Sequence, residues 1–210
     1  MEKNDRRAYL ILEAKRLKIE VANVLKSLKT KKQKKIALQK YFCAIHPHFI
    51  VWVAAMQNSA NSGIARSAAL NNIHCELIED HQIMLYKFMQ QIGVQFDEKL
   101  YEELFPRIEE INRVMSLGVS MRRGIGPATV IFFLEEISKV FIPWIEETAR
   151  ELGATNFLYT QKHGEADEAH SLQALNAVLA EADITTASEP SIEAAKAGVV
   201  RLLNRIFCRS

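Results

Sequence analysis

Apolar residues recur at helical spacing along almost the whole chain. In residues 5–28, for example, apolar side chains alternate with Lys, Arg and Glu in the pattern of an amphipathic helix. No segment shows a convincing strand pattern, and no internal repeat is present. The sequence therefore predicts an all-α fold.

Proline and glycine divide this pattern into successive helices. Pro47 ends one of them, because proline disfavours helical geometry in the residue before it, and Gly93 and Gly153 are suited to helix C-termini. The predicted helices cover residues 5–28, 32–45, 49–57, 64–92, 98–118, 128–152, 155–182 and about 188–208. No linker is long enough to split the chain, so residues 1–210 are predicted to form a single domain.

Composition indicates an ordinary globular protein, with 49% hydrophobic and 25% charged residues. A chain of 210 residues can bury a core without structural metal or disulfides, so any metal is expected to be functional. Three widely spaced cysteines favour neither a disulfide framework nor a thiolate site. The polar N-terminus and the short longest apolar run, 49–56, favour a cytoplasmic protein without membrane association.

Three polar residues of the helix predicted at 155–182 share one face. His163, Asp167 and His170 stand at positions i, i+4 and i+7, which fall within roughly a 60° arc. Imidazole nitrogen and carboxylate oxygen together suit iron, manganese or zinc, and a carboxylate between two imidazoles can bridge two ions. The rival interpretation is a solvated polar face, but Glu165 and Glu168 already occupy the opposite side.

A second cluster lies in residues 72–81, which contain two histidines and three acids. His74 and His81 share a helix face. Glu76 and His81 are about 140° apart in a straight helix, so both can serve one site only if the helix is bent or bulged between them. Some of these side chains could instead cap or pair at the helix surface.

A third source of ligands is the acid pair Glu135 and Glu136, which follows the apolar residues 132–134. The two acids lie on opposite rims of the apolar face, so periodicity does not choose between them. A buried carboxylate requires a charged or hydrogen-bonding partner, and a metal ion would be one. Two rim residues facing water are the alternative.

Taken together, these three patterns resemble the haem-oxygenase-like diiron oxidases and oxygenases. The likeness is closest to the CADD-like branch and more distant to the PqqC and TenA proteins. It is carried by the run from His163 to Ser171, and by His81 with the Met, Leu, Phe and Gly that follow it. It spans about residues 45–180. The resemblance implies a bundle of seven to eight helices with an internal pocket.

The resemblance also implies a set of metal ligands and a chemistry. The ligands would be Glu76, His81, Glu135, His163, Asp167 and His170. His74 and Glu136 are the alternatives to the first and third of these. They would hold two iron ions, or manganese in place of iron, with one-metal occupancy left open. The iron pair of this family activates O2 to hydroxylate, desaturate or cleave a small organic substrate, or to oxidise an amine. A homodimer is also implied.

Other residues near these motifs carry weaker expectations. Phe132, Phe133 and Trp144 are predicted to wall the pocket. Tyr159 lies one turn before His163 on the same face and is predicted to pack in the core beside it, with a role near the metal as the alternative.

Two rival functions remain at the level of sequence. Metal-free proteins with this fold exist, so a non-catalytic binding module with a degenerate or empty site is the alternative to an enzyme. The lysine run from Lys29 to Lys35 could contact nucleic acid. A solvated face is favoured there, because aromatic residues are not interleaved and the net charge is only +2.

Overall fold

The computed structural model describes residues 3–78, 80–185 and 188–208, and within these ranges the chain forms nine α-helices and no strand. The helices are α1 (Lys3–Ser27), α2 (Lys31–Ile45), α3 (Phe49–Ser59), α4 (Gly63–Ile78), α5 (His81–Gln91), α6 (Glu98–Met121), α7 (Ile125–Glu151), α8 (Leu158–Ile184) and α9 (Ser188–Phe207). The predicted all-α fold is confirmed. If α4 and α5 are counted as one interrupted helix, the described residues give the eight helices expected of the bundle.

The interruption between α4 and α5 corrects the sequence-based prediction of one long helix over residues 64–92. Helix α4 ends at Ile78 and α5 begins at His81. Asp80 adopts a left-handed conformation with φ 57°, which ends helical geometry. This segment contains neither proline nor glycine, so the usual breaking signals are missing. Aspartate is one of the few residues other than glycine that is enriched in this conformation.

Local sequence accounts for several other helix ends. Thr30 and Gln33 form a reciprocal capping box at the start of α2. The Asp97 carboxylate accepts a hydrogen bond from the Leu100 amide at 3.0 Å and caps α6. Gly93 and Gly153 follow α5 and α7 with positive φ, as the sequence predicted for helix termini.

Helix α7 occupies the centre of the bundle. Every residue from Ile125 to Phe133 is buried, as expected of a helix that is covered on all sides. It packs most extensively against α8 and α9, and α8 packs in turn against α4 and α5. The three acid- and histidine-bearing segments of the sequence therefore become neighbours.

A buried carboxylate fixes α8 relative to the start of α4. Glu181 is fully buried and accepts hydrogen bonds from the backbone amides of Asn61 and Ser62, at 2.8 and 2.7 Å. Gly124 lies so close that a Cβ there would stand 2.7 Å from Glu181 Oε2 and 2.9 Å from Ala60 Cα. This contact helps to hold the two helices that carry most of the site residues.

Within the described ranges, no helix is both long enough and apolar enough to cross a membrane.

Candidate metal centre

Four helices contribute six acidic and histidine side chains to one region of the bundle. The contributions are Glu76 from α4, His81 from α5, Glu135 from α7, and His163, Asp167 and His170 from α8. All are buried except His163, which is partly exposed. Glu165 and Glu168, on the other side of α8, are exposed, with 74% and 86% of their side-chain surface accessible. The prediction of one shared face on α8 is confirmed.

Glu76, His81 and His163 form a compact group. Glu76 Oε1 lies 3.5 Å from His81 Nδ1 and 3.8 Å from His163 Nε2. One ligand atom of each residue lies within 4.8 Å of the other two. Two ligands of one ion with bonds of about 2.0–2.2 Å are separated by roughly 3–4 Å. This group therefore has the dimensions of a site for one metal ion.

The break at Asp80 explains how this group assembles. In a straight helix the Glu76 and His81 side chains would point about 140° apart. Because α4 ends at Ile78 and α5 starts only after the left-handed Asp80, the 140° relation does not apply, and the two side chains lie close together. The expectation that this pair requires a bent helix is met.

A second carboxylate–imidazole pair lies next to the first group. Glu135 Oε1 is 3.9 Å from His170 Nδ1, and the same oxygen accepts a hydrogen bond from Asn72 Nδ2. Asp167 lies on α8 between the two histidines, with Oδ1 3.6 Å from His163 Nδ1. The arrangement is two carboxylate–imidazole groups with a further carboxylate between them.

Asp167 provides the test of whether these residues suit a cation. Both of its carboxylate oxygens are buried, and neither accepts a hydrogen bond from the described part of the chain. A buried carboxylate without donors is costly, and a bound cation removes that cost. Nitrogen and oxygen donors of this kind suit iron. The residues present therefore fit a metal centre.

The protonation states of two site residues are set by burial. Burial, followed by the negative charge of Asp167, raises the pKa of Glu135 to about 8. Burial, followed by the neighbouring His163, lowers the pKa of His170. Without metal, Glu135 thus keeps a proton near neutral pH, and a bound cation would displace that proton.

The structure separates the alternatives that periodicity left open. Glu136 faces α1, where its carboxylate pairs with Lys18 at 2.5 Å and with Lys139 at 2.9 Å. Glu135 faces the site instead. In α4, Glu76 is buried beside His81, whereas His74 is exposed. Glu136 and His74 therefore lie away from the cluster, and Glu79 is outside the described residues.

A cavity of about 60 Å³ adjoins the cluster and is bordered by Glu76, His81, Glu135 and His163. The predicted pocket walls are wrong. Phe132 and Phe133 are buried against each other, with ring centroids 5.1 Å apart, and do not border this cavity. Trp144 lines a separate surface cleft. Periodicity identifies buried positions on α7 but not the void that each of them borders.

Tyr41 and His46, which both line the cavity from the end of α2, had no predicted site role. Tyr41 and Tyr159 lie near each other, and each hydroxyl influences the pKa of the other. The Tyr159 ring lies 4.6 Å from the His163 ring, so its position one turn before His163 was an available signal. No local pattern marks Tyr41 or His46.

Comparison with known proteins agrees with this geometry. A family model described as "Iron-containing redox enzyme", of the haem oxygenase type, matches residues 37–201. A comparison with curated proteins finds no significant match. The matched region contains all six residues of the cluster and most of the chain. The chain therefore belongs to the iron-containing redox enzyme family of the haem-oxygenase-like superfamily.

Proposed function

We propose that this protein is a non-haem diiron oxidase or oxygenase, similar to the CADD-like proteins, that activates O2 to oxidise a small organic substrate. The observation that carries the proposal is the position of Asp167. Its buried carboxylate, which accepts no hydrogen bond within the described residues, stands between two carboxylate–imidazole groups. Membership of an iron-containing redox family supports the choice of metal.

The six residues divide between two neighbouring ions in this proposal. Glu76, His81 and His163 would hold one ion, and Glu135 and His170 would hold the other. Asp167 would contact both. When bound, such an iron pair supplies Lewis acidity and the electrons for reduction of O2. Manganese is a possible substitute, because the nitrogen and oxygen donors suit both metals.

Other residues of the chain would prepare the site for this chemistry. Most of the side chains around the cavity are apolar, and such a lining strengthens electrostatic interactions beside it by reducing contact with water. The Tyr41–Tyr159 pair provides hydroxyl groups beside the acids, and burial raises the pKa of both tyrosines so that they keep their protons. Glu135 can release a proton to the cavity or to solvent when a cation binds.

Ligand substitutions with matched controls test the proposal. His163→Ala and Asp167→Ala are expected to remove most metal uptake from protein loaded with Fe(II) under anaerobic conditions. His74→Ala and Glu136→Gln change the same residue types outside the cluster and are expected to leave uptake intact. Circular dichroism would confirm that each variant is folded. Unaltered metal content in the two ligand variants would favour the non-catalytic binding module.

A further inference from the structure

Asn72 is a buried amide of α4 that contacts one of the proposed ligands. Its side-chain Nδ2 donates a hydrogen bond to Glu135 Oε1, an oxygen that also lies 3.9 Å from His170 Nδ1. Asn72 and Glu135 are each only 4% exposed. A hydrogen bond to a buried carboxyl group is stronger than one at the surface, because the local dielectric constant is low. Asn72 therefore fixes the oxygen that faces His170.

The other end of the same amide has no partner in the described chain. Asn72 Oδ1 is buried and accepts no hydrogen bond from the residues that the structure describes. An amide that served only the fold would be expected to pair both of its ends, because an unpaired buried polar atom opposes folding. The pairing of only the end that touches Glu135 indicates that this position serves the ligand carboxylate.

Asn72 also connects the two proposed groups of ligands. It lies four residues before Glu76 on α4, and residues at this spacing share a helix face. Glu76 belongs to the group for one ion, whereas Glu135 belongs to the group for the other. Helix α4 packs mainly against α3 and α8 and has little direct contact with α7. The hydrogen bond from Asn72 therefore reaches from the helix of one group to a carboxylate of the other.

A hydrogen bond that orients a ligand strengthens the binding of its metal ion. A carboxylate that is free to rotate must be ordered when the ion binds, whereas one already held by a donor requires less ordering. Loss of such a supporting hydrogen bond typically lowers metal affinity by about 10- to 100-fold. The loss falls on the ion that the supported ligand holds, which here is the ion proposed for Glu135 and His170.

We infer, on the basis of the proposed function, that Asn72 is a positioning residue: its amide holds the Glu135 carboxylate towards His170 and so secures the ion bound there, the second ion. The first ion, held by the group that contains Glu76, does not require this amide. Loss of the Asn72 side chain should therefore weaken the binding of one of the two ions selectively.

Stepwise titration of metal-free protein with redox-inert Zn(II) tests this inference. Wild type should bind about two ions per chain. Asn72→Leu, which removes the amide at similar volume, should bind the first ion with unchanged affinity and the second at least about tenfold more weakly. Asn71→Leu makes the same exchange at the adjacent, exposed position and should match wild type. Isothermal titration calorimetry would measure both affinities.

The visible spectrum of bound Co(II) provides a readout that a general loss of packing would not produce. This spectrum reports the ligands around each ion, so at one equivalent it should be the same in wild type and Asn72→Leu. The change that wild type shows with the second equivalent should be missing from the variant at the same concentration. Thermal unfolding would confirm that each variant folds. If Asn72→Leu fails to fold, Asn72→Ala removes the same amide, favours helix and carries the same expectation.

The stoichiometry of wild type, measured first, separates this inference from the proposed function. Fewer than two ions in wild type would reject the two-ion centre, and the inference with it. Two ions in wild type with equal affinities in Asn72→Leu would overturn the inference alone. An equal loss of affinity for both ions, or the same effect from Asn71→Leu, would also overturn it, because Asn72 would then not act through Glu135.

Discussion

Glu76 and His81 are five residues apart, yet Glu76 Oε1 lies 3.5 Å from His81 Nδ1. The left-handed backbone of Asp80 separates α4 from α5 and makes this contact possible. Two proposed ligands of one ion thus lie on opposite sides of a helix break, and the geometry of that break sets the spacing between them.

Asp80 is expected to matter through its backbone, because its side chain makes no capping hydrogen bond to α5. Asp80→Val places a β-branched residue in the left-handed region and should lower the free energy of unfolding by about 1–2 kcal/mol. Zn(II) affinity should fall with it. Asp80→Gly accepts the same conformation and is the control. Urea unfolding and zinc titration would measure both effects, and equal behaviour of the two variants would show that the backbone conformation is unimportant.

Because the pKa of Glu135 is raised, we expect the stability of the metal-free protein to depend on pH in an unusual way. Its folded pKa of about 8 lies above the ordinary value of 4.5. Between these values the unfolded chain loses the proton first, so ionisation favours unfolding and stability falls as pH rises through this window. Glu135→Gln should remove the dependence, which is on the order of a few kcal/mol.

Urea midpoints at pH 5 and pH 8, for metal-free wild type and Glu135→Gln, would measure this effect. Glu136→Gln is the control, because Glu136 has a lowered pKa and pairs with Lys18 and Lys139. Parallel pH profiles for wild type and Glu135→Gln would contradict the expected protonation state.

Much of the fold and part of the site are predictable from sequence. His163, Asp167 and His170 lie on one helix, where fixed spacing determines their common face. Glu76 and His81 depend on a break that no proline or glycine marks, so only the need for a bend was predictable.

The site features that sequence does not predict depend on contacts between segments that are far apart in the chain. Glu135 is distinguished from Glu136 by Lys18, which is 118 positions away from Glu136. Tyr41 and His46 reach the cavity from α2 because of helix packing. Sequence periodicity carries no information about such contacts.

Asp167 should oppose stability in the metal-free protein, since its carboxylate is buried without a hydrogen-bond donor in the described chain. Asp167→Asn removes the charge at nearly constant volume and should raise the metal-free free energy of unfolding by about 1–2 kcal/mol. The same change should abolish most of the stabilisation that Zn(II) gives to wild type, which is about 2.7 kcal/mol at a hundredfold excess over Kd. Thermal melts with and without zinc would measure both. A metal-free variant less stable than wild type would contradict this role.

Two glycines provide a matched test of the contact between α8 and the start of α4. A Cβ at Gly124 would collide with Glu181 and with the Ala60 backbone, so Gly124→Ala should cost about 1–3 kcal/mol. At Gly164, inside α8, an added Cβ would meet no atom within 4 Å. Gly164→Ala should therefore stabilise the protein by about 0.5–1 kcal/mol. Urea unfolding should show a lower free energy of unfolding for Gly124→Ala and a higher one for Gly164→Ala. If Gly124→Ala caused no loss of stability, the proposed role of this contact would be wrong.

The most direct test of the central claim is an anaerobic Fe(II) titration of protein stripped of adventitious metal, followed by admission of O2. The account predicts about two tightly bound iron ions per chain, as expected for a dinuclear carboxylate–histidine centre, and a transient absorption in the near-ultraviolet or visible range after oxygen is added. Absence of specific iron uptake, or iron that gives no spectral response to O2, would contradict a diiron oxygen-activating function.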